Sequence, residues 1–240
     1  GGYVRAINGV DAAVDDIPLA ERFVLARQNE VNCLDAAAAE KMRERIRQVM
    51  SERDTLGGII EVFALGLPVG LGSHVEWDRK LDSRLGAALL SIQAIKGVEI
   101  GPAFENARLP GTQVHDPIRL QGQNLVRPSL RSGGLEGGVT TGQPLWLRVA
   151  MKPIPTTLNP QPTVDLANGQ EADTRYERSD FCPVPRAVVV VEAMTCYVLA
   201  DALIEKLGGD SLAEMKPRFE SLPRARLNDM PMQGGELLFW

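Results

Sequence analysis

Apolar residues recur along this chain at two spacings, and the spacing sorts it into helices and strands. Met42, Ile46 and Met50 fall every fourth residue, which predicts a helix with one buried face from the N-cap residue Asp35 to about residue 50. Leu81, Leu85, Leu89 and Ile92 predict a second helix over residues 81–95, stopped by Gly97. Leu199, Leu203 and Leu207 mark a third over residues 187–207, closed by Gly208 and Gly209. The four valines at 188–191 favour a strand locally, but length and the later leucine spacing argue for helix. Residues 145–151 alternate apolar and polar, the pattern of a half-buried strand. Residues 3–10 read as a short strand and 59–65 as a buried one, followed by a Gly/Pro turn region at 66–72. Residues 101–131 and 153–178 read as long loops. The reading divides the chain into one domain over 1–215 and a loosely ordered tail over 216–240. Uneven alternation of helices and strands fits α+β layers better than a doubly wound nucleotide fold.

Composition narrows the function classes. A chain of 240 residues with net charge −5 buries a substantial core and exerts no global attraction on nucleic acid or an acidic membrane. An anionic substrate must therefore be held by locally placed Arg and Lys. The odd cysteine count (Cys33, Cys182, Cys196) and the lack of Cys-x-x-Cys favour neither a disulfide framework nor a zinc site; buried or half-buried thiols are expected. His74 and His115 share no metal-ligand spacing. The apolar run 187–200 is interrupted by Glu192 and followed by Asp201, which reads as too short and too charged for a membrane span. No signal-peptide pattern is visible, and the expectation is a cytoplasmic protein.

Three stretches carry candidate chemistry. Arg178 and Asp180 stand two residues apart at the mouth of the third helix, with Pro183 and Pro185 expected to keep that mouth extended. Residues 132–142 are dense in glycine, which lets a backbone approach a ligand and turn its amides toward an anion. The spacing is neither a Walker loop nor Gly-x-Gly-x-x-Gly. Lys152 follows at the end of the next strand, and residues 91–99 bring Gln93 and Ala94. Each stretch has an ordinary reading too. A Gly-rich stretch serves as a structural turn, and an Arg/Asp pair in a loop is usually a solvated surface pair.

Taken in order, these stretches resemble the chorismate synthase family up to about residue 210. The matching segments are Asp54-Thr55-Leu56-Gly57-Gly58, Gly70-Leu71-Gly72, Trp77-Asp78-Arg79-Lys80-Leu81-Asp82, residues 91–99, 133–138, Lys152-Pro153 and 178–194. The resemblance implies a layered β-α-β sandwich, present here in part. It implies reduced FMN and a 1,4-anti elimination of phosphate from 5-enolpyruvylshikimate-3-phosphate without net redox change. By position it places Gln93, Ala94, Gly137, Lys152, Pro153, Ile154, Pro155, Thr156 and Arg178 against FMN, and makes Arg178 and Asp180 catalytic. It further implies a homotetramer, with NADPH as a candidate reductant of the flavin.

Departures from the family pattern are Leu130, Phe181, and Ile154 with Pro155 after the Lys152 position. The Gly-x-Ser-His-Gly and Arg-x-Ser-x-Arg-Glu-Thr motifs of the family's N-terminal part do not occur. The expectation is a C-terminal portion of the enzyme, either a truncated product or one chain of a split pair with a separate N-terminal half. The competing expectation is a non-catalytic fragment or interaction module that retains the fold.

Overall fold

The computed structural model describes residues 1–14, 16–176 and 179–229. Strand β1 (Gly2–Ile7) turns back through Asn8 and Gly9, both at positive φ (47° and 80°), into β2 (Val10–Asp11). Two left-handed residues in a two-residue loop match the right-handed twist of a hairpin, and Asn-Gly adopts them at little steric cost. Helices α1 (Leu19–Ala26) and α2 (Ala36–Glu52) follow, then β3 (Gly58–Ala64), β4 (Val69–Gly72) and α3 (Leu81–Leu90). After β5 (Ile95–Ile100) come two one-turn helices, α4 (Ala103–Asn106) and α5 (Gly111–Val114). The next strands are the hairpin β6 (Arg119–Gln121) and β7 (Asn124–Val126), the hairpin β8 (Leu135–Glu136) and β9 (Val139–Thr141), and β10 (Leu145–Met151). A third hairpin, β11 (Pro162–Asp165) and β12 (Gln170–Asp173), precedes α6 (Val184–Leu207) and α7 (Leu212–Glu220).

The central sheet is antiparallel in the order β2-β1-β3-β10-β5. Alternation gives it two unlike faces. Ile60, Val62, Leu147 and Val149 are buried on the side where α3 and α6 pack; a Cβ at Gly58 would lie 3.2 Å from the side chain of Val184 in α6. The other face carries a polar row, Tyr3, Glu61, Arg148 and Glu99, on four adjacent strands. Tyr3 hydroxyl donates to Glu61, Arg22 of α1 donates to Tyr3 at 3.1 Å, and Arg148 pairs with Glu99 at 2.9 Å. Burial raises the Glu61 carboxyl above the ordinary range, opposed by the Tyr3 hydrogen bond and by Arg5 and Arg148. The smaller sheet β4-β9-β8 lies beyond the N-terminal end of α3.

Several sequence expectations need correction. The buried face of α2 is Ala38, Ala39, Met42 and Val49; Met50 is 48% exposed. Helix α3 ends at Leu90, and Gly97 lies within strand β5 instead of stopping a helix. The apolar spacing runs past the helix because Ile92 is buried in the following turn and Ile95 in the strand. The 66–72 region contains a strand, and the loops at 101–131 and 153–178 contain the short helices and hairpins above. Helix α6 starts at Val184, so Pro183 and Pro185 initiate it, as proline at a first turn does, instead of holding the chain extended. At 24 residues it is, by length and hydropathy alone, long enough to cross a membrane; its buried residues pack on β1, β3 and α3. Residues 216–220, expected in the tail, belong to α7. Cys33 is buried and Cys182 half-buried as expected, but Cys196 is exposed.

Candidate functional site

Four chain segments meet at one end of the central sheet, where β10 finishes and β3 and β5 begin. The amide of Lys152 donates to the carbonyl of Ala94 at 2.9 Å. Thr55 hydroxyl donates to the carbonyl of Ile154 at 2.6 Å, and Ser179 hydroxyl to the carbonyl of Thr156 at 2.9 Å. The amide of Leu56 donates to the carbonyl of Phe181 at 2.7 Å, closing the circuit. A Cβ on Gly57 would lie 2.3 Å from the carbonyl oxygen of Met151 and 2.9 Å from the Pro153 ring, so only glycine lets these strands approach.

This circuit presents Lys152 and Gln93 exposed and Ile154, Thr156 and Asp180 half-buried along one rim. Ala94 takes the left-handed conformation (φ 66°), unusual for a residue with a Cβ, to turn the chain from α3 into β5. Asp180 sits between two pinned residues, Ser179 and Phe181. Its carboxylate accepts from Arg186 Nη1 with both oxygens, each at 3.0 Å. Phe181 turns inward and packs against the core cluster. Burial pushes the Cys182 thiol up to about 11, so it stays protonated at neutral pH and offers no thiolate nucleophile. Arg178 lies outside the described residues.

Gly137 stands elsewhere. With Gly138 it forms the positive-φ turn (61° and 91°) of the β8–β9 hairpin, and the Gly138 carbonyl accepts from the amide of Leu81, the first residue of α3. Ala94 lies beyond the other end of that ten-residue helix, about 15 Å away along its axis. The structure thus joins Ala94, the 152–156 turn and Asp180, and sets Gly137 apart from them.

The glycine-rich stretch is used differently from the expectation of an anion cradle. A Cβ on Gly133 would lie 2.3 Å from the Gly101 nitrogen, one on Gly134 2.3 Å from the Pro144 oxygen, and one on Gly138 2.4 Å from the Ser73 oxygen. These glycines serve chain-to-chain packing. At Gly137 a Cβ would meet nothing within 4 Å, so its backbone is open to a flat ligand. Asp116 fastens the start of this stretch, accepting from the Ser129 hydroxyl and from the amides of Arg131 and Ser132, each at 2.8 Å. Burial opposes the charge on Asp116, but these hydrogen bonds outweigh it and hold the carboxyl below its ordinary value.

Sequence reasoning missed Thr55 and Arg186. Thr55 lies in a stretch that matched the family, a signal that was available. Arg186 lies six residues after Asp180 across a helix start, a separation with no regular template. His74 and His115 are both exposed, and among the described residues no group of three His, Cys, Asp or Glu side chains is arranged to hold a metal.

Comparison with known proteins agrees with this framework of α+β layers. The chorismate synthase family model matches residues 1–204. The chorismate synthase of Trichlorobacter lovleyi is 52% identical over 224 residues, covering 90% of this chain and 57% of that protein. That of Streptomyces coelicolor is 54% identical over 191 residues, covering 80% of this chain and 48% of that protein. A crystal structure of chorismate synthase matches with a TM-score of 0.74 at 41% identity, covering 92% of this chain and 61% of that one. The fold is α+β, and the chain belongs to the chorismate synthase family. It spans 57% of the length of the T. lovleyi relative.

Proposed function

We propose that this chain supplies one wall of a chorismate synthase active centre, a carbon–oxygen lyase that removes phosphate from 5-enolpyruvylshikimate-3-phosphate by 1,4-anti elimination. The observation that carries the reading is the hydrogen-bonded circuit uniting the Ala94, Lys152–Thr156 and Ser179–Phe181 positions in a chain of this family.

Reduced FMN, when bound, supplies the electron-rich ring that the elimination requires. The residues fit such a group. Exposed Gln93 offers amide donors and an acceptor, and Lys152 a cation. In this reading Gln93, Ala94, Lys152, Pro153, Ile154, Pro155, Thr156 and Arg178 hold the cofactor, and Gly137, beyond the other end of α3, is a separate contact to be tested by its own variant. Lys152 favours negative charge at the rim. Asp180 accepts or returns a proton, its carboxylate held by the pinned backbone on either side. Arg178 binds the anionic groups of the substrate. A homotetramer, NADPH as reductant and a cytoplasmic location belong to the same proposal.

The exposed outer side of α6, with Val189, Val190, Tyr197 and Ile204, is apolar and suits packing against another polypeptide. The alternative, a non-catalytic fragment or interaction module, gains if Phe181 and Pro155 together obstruct the flavin. Phe181 packs inward against the core, which weakens that argument, while Pro155 stands exposed at the rim. The test is to combine this chain with a polypeptide carrying the part of a relative that it does not match, add reduced FMN, and assay chorismate. Formation of chorismate by the pair and not by either part supports the proposal. A folded, associated pair without activity overturns it.

A further inference from the structure

We infer that Arg186 is a positioning residue for Asp180, a role that rests on the reading of Asp180 as a proton-handling group. Both members of the pair are anchored independently. Asp180 lies between Ser179, tied to Thr156 at 2.9 Å, and Phe181, tied to Leu56 at 2.7 Å. Arg186 stands in the first turn of α6, where the carbonyl of Pro185 accepts from Asn32 Nδ2 at 3.1 Å and the amide of Arg186 donates to Pro183 at 3.1 Å. A single guanidinium nitrogen is 3.0 Å from both carboxylate oxygens and so sits centred on the carboxylate.

The placement runs against helix electrostatics. A cation in the first turn faces the positive end of the helix dipole, an unfavourable arrangement. The pair is also open to solvent, with Arg186 80% and Asp180 43% exposed, so it adds little to stability. An exposed cation at the wrong helix end, aimed at one carboxylate, is explained by orientation. Arg186 fixes the rotamer of Asp180, whose neighbour Ser179 is itself tied to Thr156 of the 152–156 turn.

Two measurements test this. In the chain alone, with arginine labelled in 15N, the guanidinium resonances assigned through Arg186→Lys shift on Asp180→Asn while other arginine signals stay in place. An unmoved Arg186 signal overturns the contact itself. In the two-part enzyme, Arg186→Gln lowers kcat by about tenfold or more, as misplacement of a reacting group does, with KM within about twofold. Arg186→Lys, which keeps the charge, recovers most of kcat. Unchanged kcat in Arg186→Gln, or a rise in KM alone, overturns positioning. If the two-part enzyme yields no chorismate with the native chain, the active-centre reading fails, while the resonance measurement still decides the contact.

Discussion

Lys152 and Ala94 are joined through their backbones at 2.9 Å, and the residue on the accepting side is held at φ 66°. The close of β10 is thus locked to the turn between α3 and β5. A left-handed alanine is strained, and such strain often gathers where a ligand is bound. Replacing Ala94 with glycine relieves it. We expect Ala94→Gly to stabilise the fold by about 0.5–1 kcal/mol, the gain tempered by the freer unfolded chain. Ala94→Val, β-branched in the same conformation, lowers stability by more than about 1 kcal/mol. Urea denaturation of both variants reads the difference, and a destabilised glycine variant would contradict it.

Gly134 and Gly137 separate packing from ligand access. Both have positive φ, but a Cβ at Gly134 meets the Pro144 oxygen at 2.3 Å and one at Gly137 meets open space. Gly134→Ala is expected to cost more than about 2 kcal/mol, and Gly137→Ala about 1 kcal/mol from backbone conformation alone. If flavin lies over Gly137, its affinity in the two-part enzyme falls much further than that stability change. A flavin titration showing equal affinity for wild type and Gly137→Ala removes Gly137 from the site.

Acid titration should expose the cap of α2. Asp35 accepts from the amides of Ala13 (3.0 Å), Ala38 (3.1 Å) and Ala37 (2.9 Å), and these bonds hold its carboxyl below the ordinary value. Because the folded value lies below the unfolded one, the contribution is complete above the unfolded pKa of about 3.9 and fades as pH falls through the folded value. Asp35→Ala should cost about 1–2 kcal/mol near neutrality. The gap to wild type should narrow as the solution is acidified below the unfolded value. A gap independent of pH would show that the charge has no part in capping.

Asp116 offers a similar test in a loop. Asp116→Ala leaves the amides of Arg131 and Ser132 and the Ser129 hydroxyl without their acceptor, which should cost at least about 2 kcal/mol. Hydrogen exchange at residues 131 and 132 should accelerate more than at the centre of β10. Uniform acceleration would mean that Asp116 supports the whole fold instead of this loop.

Much of this architecture can be read from the pattern of residues. Strand β10 falls on the alternating run 145–151, and the cap at Asp35 and the Gly208 terminus of α6 appear where short-range chemistry sets them. What escaped depends on contacts between distant segments. The end of α3 is masked because Ile92 and Ile95 extend its apolar rhythm while belonging to a turn and a strand. Hairpin β11–β12 is almost wholly exposed, so burial imprints no alternation on it. At the rim, motif order pointed to Ala94, Lys152 and Asp180, but the separation of Gly137 arises from the length of α3, which no local motif encodes.

Helix α6 carries a last consequence. It is apolar toward the sheet and again on its outer side, where Tyr197 is 70% exposed. Such a surface makes molecules adhere to one another as their concentration rises, so the handling of this polypeptide in solution will depend on whether something shields those valines.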